Sequence, residues 1–124
     1  MRLNFERPCV GAVNTFFGCG AWPSWVADIG GASGVYVIRS AGTSKRVLYV
    51  GESHTGRLKK TLLRHFQAWS GKTAGNTYSR GDVEIALIKA TPARAVALQN
   101  RLIVELEPRD NKLSPDSPKN ENPF

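Results

Sequence analysis

The sequence predicts a small α/β domain of the α+β type, with a three-stranded, mainly antiparallel sheet and flanking helices. A length of 124 residues is typical of one domain. Three short runs rich in β-branched and aromatic residues are bounded by turn residues, as strands are. Two longer stretches repeat apolar side chains every three to four residues, as helices do. The predicted order is β-β-α-β-α.

The first two strands are predicted to form a hairpin. Residues 34–38 and 46–50 are the two strand-like runs, and residues 41–44 form the turn between them. A polar loop is predicted over residues 52–56. The third strand is predicted over residues 83–89.

Two helices are predicted, one before and one after the third strand. The first spans residues 57–69 and ends at a glycine-rich loop over 70–76. The second begins at Thr91, a favourable N-cap residue followed by proline, and ends near residue 107, before Pro108. The apolar face of the first helix has five members: Leu58, Leu62, His65, Phe66 and Trp69.

Composition divides the chain into three parts. Residues 1–30 are rich in glycine and aromatic residues, which indicates an irregular arm with one short helical turn near 25–29. Residues 31–113 form the domain. Residues 114–124 carry three prolines and no apolar periodicity, so we expect a flexible tail.

The net charge is +7, from 17 lysines and arginines against 10 acidic residues. The tail has one lysine against two carboxylates, so the rest of the chain carries +8. This surplus favours a polyanionic partner, either nucleic acid or an anionic membrane surface. The longest apolar runs are too short to span a bilayer, and the first residues lack the pattern of a secretory signal.

The cysteine content favours a cytoplasmic protein with free thiols. Two cysteines, Cys9 and Cys19, are too few for a disulfide scaffold. A zinc site that uses them with a histidine is disfavoured, because no CxxC or HxxxH spacing supports it.

A polar residue interrupts the apolar stripe of the second helix. At 100° per residue, Gln99 lies in the middle of the predicted buried face, while Glu105 lies about 120° away and should face water. A buried carboxamide costs free energy unless it is hydrogen-bonded. Gln99 is therefore either a satisfied core amide or a group that lines a cleft between helix and sheet. The apolar residues within about 60° of it are Ala95, Val96, Leu102, Ile103 and Leu106.

The first helix carries polar residues opposite its apolar face: Arg57, Lys60, Thr61 and Arg64. His65 lies at the border, and Arg57, Thr61 and His65 are predicted to form one ridge at i, i+4, i+8 spacing. This surface is either a solvated basic face or a phosphate-binding face with a histidine at its edge. Trp69 and Tyr78 could stack on bases there, although Trp69 suits the core as well.

Two triplets stand on the hairpin strands, Gly34-Val35-Tyr36 and Tyr49-Val50-Gly51, with the second tyrosine thirteen residues after the first. A basic helix with His65 follows. A later helix leads into a matching closing segment: Leu102, Ile103, Pro108 and Asn111. Over residues 34–111 this arrangement resembles the GIY-YIG nuclease family. The resemblance implies a metal-dependent endonuclease that hydrolyses phosphodiester bonds in DNA, structure-directed or weakly sequence-specific.

The resemblance implies roles for the matching tyrosines and histidine. Tyr36 and Tyr49 match the two tyrosines of the family, one a candidate general base and the other a positioner of phosphate or water. A tyrosine is a poor base at neutral pH unless a nearby cation lowers its pKa. His65 matches the helical histidine or tyrosine, and it could accept a proton or orient Tyr36.

The resemblance also implies contacts to nucleic acid. The helical arginine of many members falls at Thr61 in this chain, so we prefer Arg57 as the catalytic arginine, with Arg64 as the second choice. Lys60 and Arg64 are expected to bind the DNA backbone. Asn111 matches the terminal asparagine of the family and is assigned to the same contact.

Gln99 falls where the family has its metal-binding glutamate. The resemblance implies one Mg²⁺ or Mn²⁺ per site, and a carboxamide binds such an ion more weakly than a carboxylate does. The chain should therefore hold its metal weakly and cut slowly or not at all. Gln99 is either an isosteric replacement made to trap an uncut complex, or a natural feature of a relative that only binds nucleic acid. We favour the first, because both tyrosines, His65 and Asn111 are retained.

Three other functions are compatible with parts of the sequence. The chain could be a non-catalytic nucleic-acid-binding module derived from a nuclease. It could be a compact sequence-specific restriction enzyme, monomeric or homodimeric, that reads bases with residues 1–30 and 70–80. A basic adaptor for anionic lipid or an acidic protein leaves the tyrosine hairpin unexplained, so we expect DNA, rather than RNA or a membrane, as the partner.

Overall fold

A three-stranded antiparallel sheet with helices on both faces forms the domain, which confirms the predicted fold class. The computed structural model describes residues 3–8, 22–66, 78 and 82–111. The strand order is β2-β1-β3, so β1 is central. The elements, in chain order, are α1 (Ser24–Ala27), β1 (Gly34–Ser40), β2 (Val47–Ser53), α2 (Leu58–Leu63), a 3₁₀ turn (Arg64–Phe66), β3 (Val83–Lys89) and α3 (Pro92–Leu106).

The central strand β1 supplies side chains to two separate cores. Tyr36 and Ile38 pack with α2, whereas Val35 and Val37 pack with α3. Successive side chains of a strand point to opposite faces, and here both faces are covered. This double burial explains why β1 is apolar without alternation.

A bulge in β2 sends two consecutive side chains into the same core. Ile38 pairs with Tyr49 and Arg39 pairs with Val47, so Leu48 is an extra residue in β2. Leu48 and Tyr49 therefore both pack on the α2 side. The hairpin is confirmed, but β2 extends to Ser53, two residues into the predicted loop.

Both predicted helices are present, with different ends. Helix α3 begins as predicted, with the Thr91 hydroxyl accepting a hydrogen bond from the Arg94 N–H at 3.3 Å. It ends at Leu106, where Glu107 adopts a left-handed conformation before proline. Helix α2 begins at Leu58 and tightens into the 3₁₀ turn after Leu63, and residues 67–69 of the predicted helix lie outside the described residues.

Some residues of the predicted N-terminal arm pack on the sheet. Glu6 and Ile85 exchange two backbone hydrogen bonds of 2.9 and 2.7 Å at the edge of β3. Phe5 packs on the α3 side and Ile29 on the α2 side. Cys9 and Cys19, residues 67–77 with Trp69 and most of the loop, and the tail over 114–124 lie outside the described residues. In the described part of the chain, no helix is long and apolar enough to cross a membrane.

Gly34 begins β1 at a place with no room for a side chain. A Cβ there would overlap the carbonyl oxygen of Ile88 on β3, which is backbone and cannot rotate away. We expect Gly34→Ala to lower the free energy of unfolding by about 1–3 kcal/mol in urea denaturation. Gly31→Ala is the matched control, because a Cβ there meets nothing within 4 Å. Equal unfolding midpoints for the two variants would contradict this packing.

Candidate active site

The structure brings together two of the predicted site residues, Tyr36 on β1 and His65 on the 3₁₀ turn. The Tyr36 Oη atom lies 2.7 Å from His65 Nε2, in hydrogen-bond contact, and both side chains are 0% exposed. A hydrogen bond between two buried side chains is electrostatically stronger than one in water. This contact therefore fixes the orientation of the Tyr36 phenol relative to the His65 imidazole.

Tyr49 adds a third ring to this pair. Its ring centroid lies 4.6 Å from that of His65 and 6.2 Å from that of Tyr36. The two tyrosines share the α2 side of the sheet. Tyr49 is 8% exposed, so of these three residues it is the nearest to the surface.

Gly51, the last residue of the second triplet, makes room for Tyr36. The register places Gly51 opposite Tyr36 on the paired strand. A Cβ at position 51 would overlap Cζ and Oη of the Tyr36 ring. Glycine is thus required at this end of the triplet so that the phenol can reach His65.

Burial raises the pKa of Tyr36 well above its usual value, and the nearby side chains of Tyr49, Tyr78 and Glu52 raise it further. The sequence argument for a tyrosine as the base requires a nearby cation to lower its pKa, and the structure shows the opposite direction for the pKa of Tyr36. Tyr36 therefore stays a neutral phenol near pH 7. Any proton that it accepts from a reactant must be matched by the transfer of its own proton to His65.

The raised pKa of Tyr36 predicts that the domain loses stability at alkaline pH. Above about pH 10 the phenol ionises in the unfolded chain but remains protonated in the folded one. This stabilisation is fully present below that pH and is lost as the pH rises toward the folded pKa. We expect Tyr36→Phe to flatten the fall of the free energy of unfolding between about pH 9 and 11, measured in urea. Parallel curves for the variant and the wild type would contradict this expectation.

The predicted cations lie on the outer side of α2. The side chain of Arg57 is exposed and makes no hydrogen bond or ion pair with a described residue, Tyr36 and His65 included. Arg57 instead lines an open groove of about 580 Å³ together with Lys60 and Arg64. Sequence reasoning did not predict Lys59 as part of this surface. The lining residues of this basic groove are Gly30, Gly56, Arg57, Lys59, Lys60, Leu63 and Arg64.

The predicted ridge of Arg57, Thr61 and His65 is wrong. Arg57 is exposed, whereas Thr61 is 7% exposed and His65 is fully buried beside Leu58 and Leu62. Each i to i+4 step on a helix turns about 40° further around the axis. Over two such steps, the predicted ridge therefore turns from the solvent-exposed side at Arg57 to the core at His65.

Gln99 lies at the border of the buried face of α3, and its predicted place in the middle is wrong. The buried residues of α3 are Ala95, Leu98 and Leu102, so the stripe is centred away from Gln99. Val96, which the prediction placed on the buried face, is 38% exposed. The partly buried Gln99 carboxamide has no hydrogen bond to any described residue, which disfavours a satisfied core amide. Glu105 is exposed, as predicted.

The residues present do not fit a tightly bound divalent cation. In the described ranges, no group of three or more histidine, cysteine, aspartate or glutamate side chains is placed to hold a metal ion. Mg²⁺ is commonly held by one or two carboxylates together with phosphate oxygens and water. Gln99 offers only a neutral amide oxygen.

Asn111 holds the outer edge of β2. Its Oδ1 accepts a hydrogen bond from the Val50 N–H at 2.8 Å, and its Nδ2 donates to the Val50 carbonyl at 2.9 Å. The N–H groups of Arg109 and Asp110 donate to the carbonyls of Val47 and Leu48. This pairing covers the free edge of the strand that carries Tyr49. The contact to nucleic acid predicted for Asn111 stays a prediction.

Two further residues join the site, and sequence reasoning missed their connection. The Tyr78 hydroxyl donates a 2.8 Å hydrogen bond to Asp110 Oδ2, and the Tyr78 ring lies against His65 at a centroid distance of 5.9 Å. The position of Asp110, directly before Asn111, is the signal that could have drawn attention to it.

Comparison with known proteins adds one partial likeness. No protein-family model matches the chain. The chain is similar to the UvrABC system protein C of Chlorobium phaeobacteroides, with 33% identity over 87 residues, or 69% of this chain. It spans 13% of the length of that relative. The likeness therefore concerns one segment of a much longer protein.

Proposed function

We propose that this chain is a GIY-YIG-type nuclease domain that binds DNA, and that with Gln99 in place it cleaves slowly or not at all. The observation that carries the proposal is the buried hydrogen bond between Tyr36 and His65, with Tyr49 against both rings. A hydroxyl paired with an imidazole is an arrangement that moves protons in hydrolysis. The partial likeness to UvrABC system protein C supports a nuclease-type function and DNA as the partner.

The three residues have distinct tasks in this proposal. Tyr49, the nearest of them to the surface, positions the attacking water or the phosphate. Tyr36 accepts a proton from that water as its own hydroxyl proton passes to His65 Nε2. His65 is suited to receive this proton because its Nε2 atom lies 2.7 Å from the Tyr36 hydroxyl oxygen. Tyr36 remains neutral at each end of the transfer, in keeping with its raised pKa.

The basic groove is the surface for the DNA backbone in this proposal. Arg57, Lys59, Lys60 and Arg64 line it, and no acidic side chain stands among its described lining residues. Arginine binds phosphate through two parallel hydrogen bonds, while lysine acts as a point charge.

Removal of groove cations should weaken DNA binding and its salt dependence together. We expect the double variant Lys60→Ala, Arg64→Ala to bind DNA more weakly than the wild type. The slope of log K against log salt should fall by about 0.9 for each lost duplex phosphate contact. Fluorescence anisotropy with labelled duplex, single-stranded and branched DNA between about 50 and 200 mM salt measures both quantities.

Arg101→Ala is the matched control for the groove. Arg101 lies on α3, outside the groove, where it pairs with Glu105 at 3.0 Å. Its loss should leave DNA affinity nearly unchanged. Equal weakening by Arg101→Ala, or no DNA binding by the wild type at low salt, would remove the groove from the proposal. Binding to anionic vesicles without binding to DNA would favour the adaptor function.

A second candidate is a non-catalytic DNA-binding module. The observation that favours it is the residue at position 99. Gln99 offers a metal ion a neutral amide oxygen in place of a carboxylate. Both candidates use the basic groove. They differ in whether a carboxylate at position 99 brings about cleavage.

A further inference from the structure

Tyr78 contacts His65 through both its backbone and its ring. The Tyr78 N–H donates a 2.7 Å hydrogen bond to the His65 carbonyl oxygen. The two rings face each other at 5.9 Å between centroids, with an interplanar angle of 30°. The placement of the phenol and that of the imidazole are therefore linked.

Asp110 holds the other end of Tyr78. The Tyr78 hydroxyl donates to Asp110 Oδ2 at 2.8 Å. Asp110 is itself held, because its N–H donates to the Leu48 carbonyl at 2.8 Å and its carboxylate pairs with Arg109. Burial and the bond to Asp110 raise the pKa of Tyr78, so its hydroxyl remains a donor through the neutral range.

These hydrogen bonds and ring contacts form a continuous series that links β2 to β1 through the candidate site. It starts at β2, which Asp110 and Asn111 hold through backbone hydrogen bonds. It continues through the Asp110 carboxylate to Tyr78, then to His65, and ends at the Tyr36 hydroxyl on β1. The imidazole thus lies among three tyrosine rings, and the hydroxyl of one of them, Tyr78, is bonded to the segment that closes β2.

We propose that Tyr78 is a positioning residue for His65. Its hydrogen bond to Asp110 keeps the imidazole oriented so that Nε2 stays within hydrogen-bond distance of the Tyr36 hydroxyl. The role in proton transfer rests on the proposed function. The placement of the ring can be tested without DNA.

The test is the tautomer of His65, read from imidazole nitrogen shifts by long-range ¹H–¹⁵N NMR. The chain has two histidines, so His54→Gln assigns the remaining signal. Tyr78→Phe keeps the ring and removes the bond to Asp110. We expect one His65 tautomer in the wild type and a mixture in Tyr78→Phe, with unchanged His54 signals. Asp110→Ala should give the same mixture, and the double variant should add nothing, because all three changes remove the same bond.

Cleavage by the chain carrying Gln99→Glu supplies a second measurement. Addition of Tyr78→Phe should lower kcat by about tenfold, as a misplaced catalytic group does, with KM unchanged. A wild-type tautomer pattern in Tyr78→Phe would overturn the proposal, even if Asp110→Ala does not fold. A changed tautomer in a chain that neither binds nor cleaves DNA would keep the positioning role and reject the proposed function.

Discussion

Gln99→Glu is expected to produce DNA cleavage that depends on Mg²⁺ or Mn²⁺. The substitution exchanges a neutral amide for a carboxylate of the same shape, at the partly exposed border of α3. One carboxylate, together with a substrate phosphate and water, is a donor set that Mg²⁺ accepts. A metal ion can offset several kcal/mol of charge in the transition state, so the cleavage rate should rise by about a hundredfold or more.

The fold should tolerate this change. The Gln99 side chain makes no hydrogen bond within the part of the chain that the structure describes, so no bond there is lost. We expect the free energy of unfolding to stay within about 0.5 kcal/mol of the wild type. Incubation of labelled single-stranded, duplex and branched DNA with each metal ion, followed by gel analysis, measures cleavage directly.

Asn100→Asp is the matched control for charge. It adds the same carboxylate to the same helix at the next, also partly buried, position, which faces a different direction. Metal-dependent cleavage by Gln99→Glu and none by Asn100→Asp would support the assignment of position 99. If Gln99→Glu cuts no substrate with either ion, the nuclease function is rejected and the non-catalytic module takes its place.

The sequence is informative about this fold where local patterns decide the structure. The β-branched run of β1, the turn residues of the hairpin and the Thr91-Pro92 start of α3 each determine local conformation, and the structure agrees with them. The two triplets are also local, and they place Tyr36 and Tyr49 on paired strands.

Features that depend on tertiary packing were not predictable in this way. The sequence spacing places Arg57, Thr61 and His65 on one ridge. In the structure, packing of α2 on the sheet buries Thr61 and His65. Gln99 is displaced from the centre of its stripe because the sheet covers the side of α3 that carries Leu98. The link from Tyr78 to Asp110 joins residues 32 apart and has no periodic signature.

His65→Ala is expected to be among the most destabilising single changes in the domain. It empties a fully buried site and leaves the buried Tyr36 hydroxyl without its partner. Removal of a large buried side chain together with an orphaned polar group should lower the free energy of unfolding by about 3–5 kcal/mol. Tyr36→Phe removes only the hydroxyl and should cost about 1–3 kcal/mol. Urea denaturation of each variant and of the double variant measures these costs and their coupling.

His54→Ala is the control, because His54 is the other histidine of the chain. Its side chain is 55% exposed and meets Glu52 in a surface pair at 2.9 Å. Surface pairs contribute little, so this change should cost less than about 0.5 kcal/mol. Similar costs for His54→Ala and His65→Ala would show that the imidazole of His65 is not enclosed. The proposed proton transfer depends on the 2.7 Å contact between the Tyr36 hydroxyl and His65 Nε2. That result would therefore remove the geometric basis of the proton transfer as well.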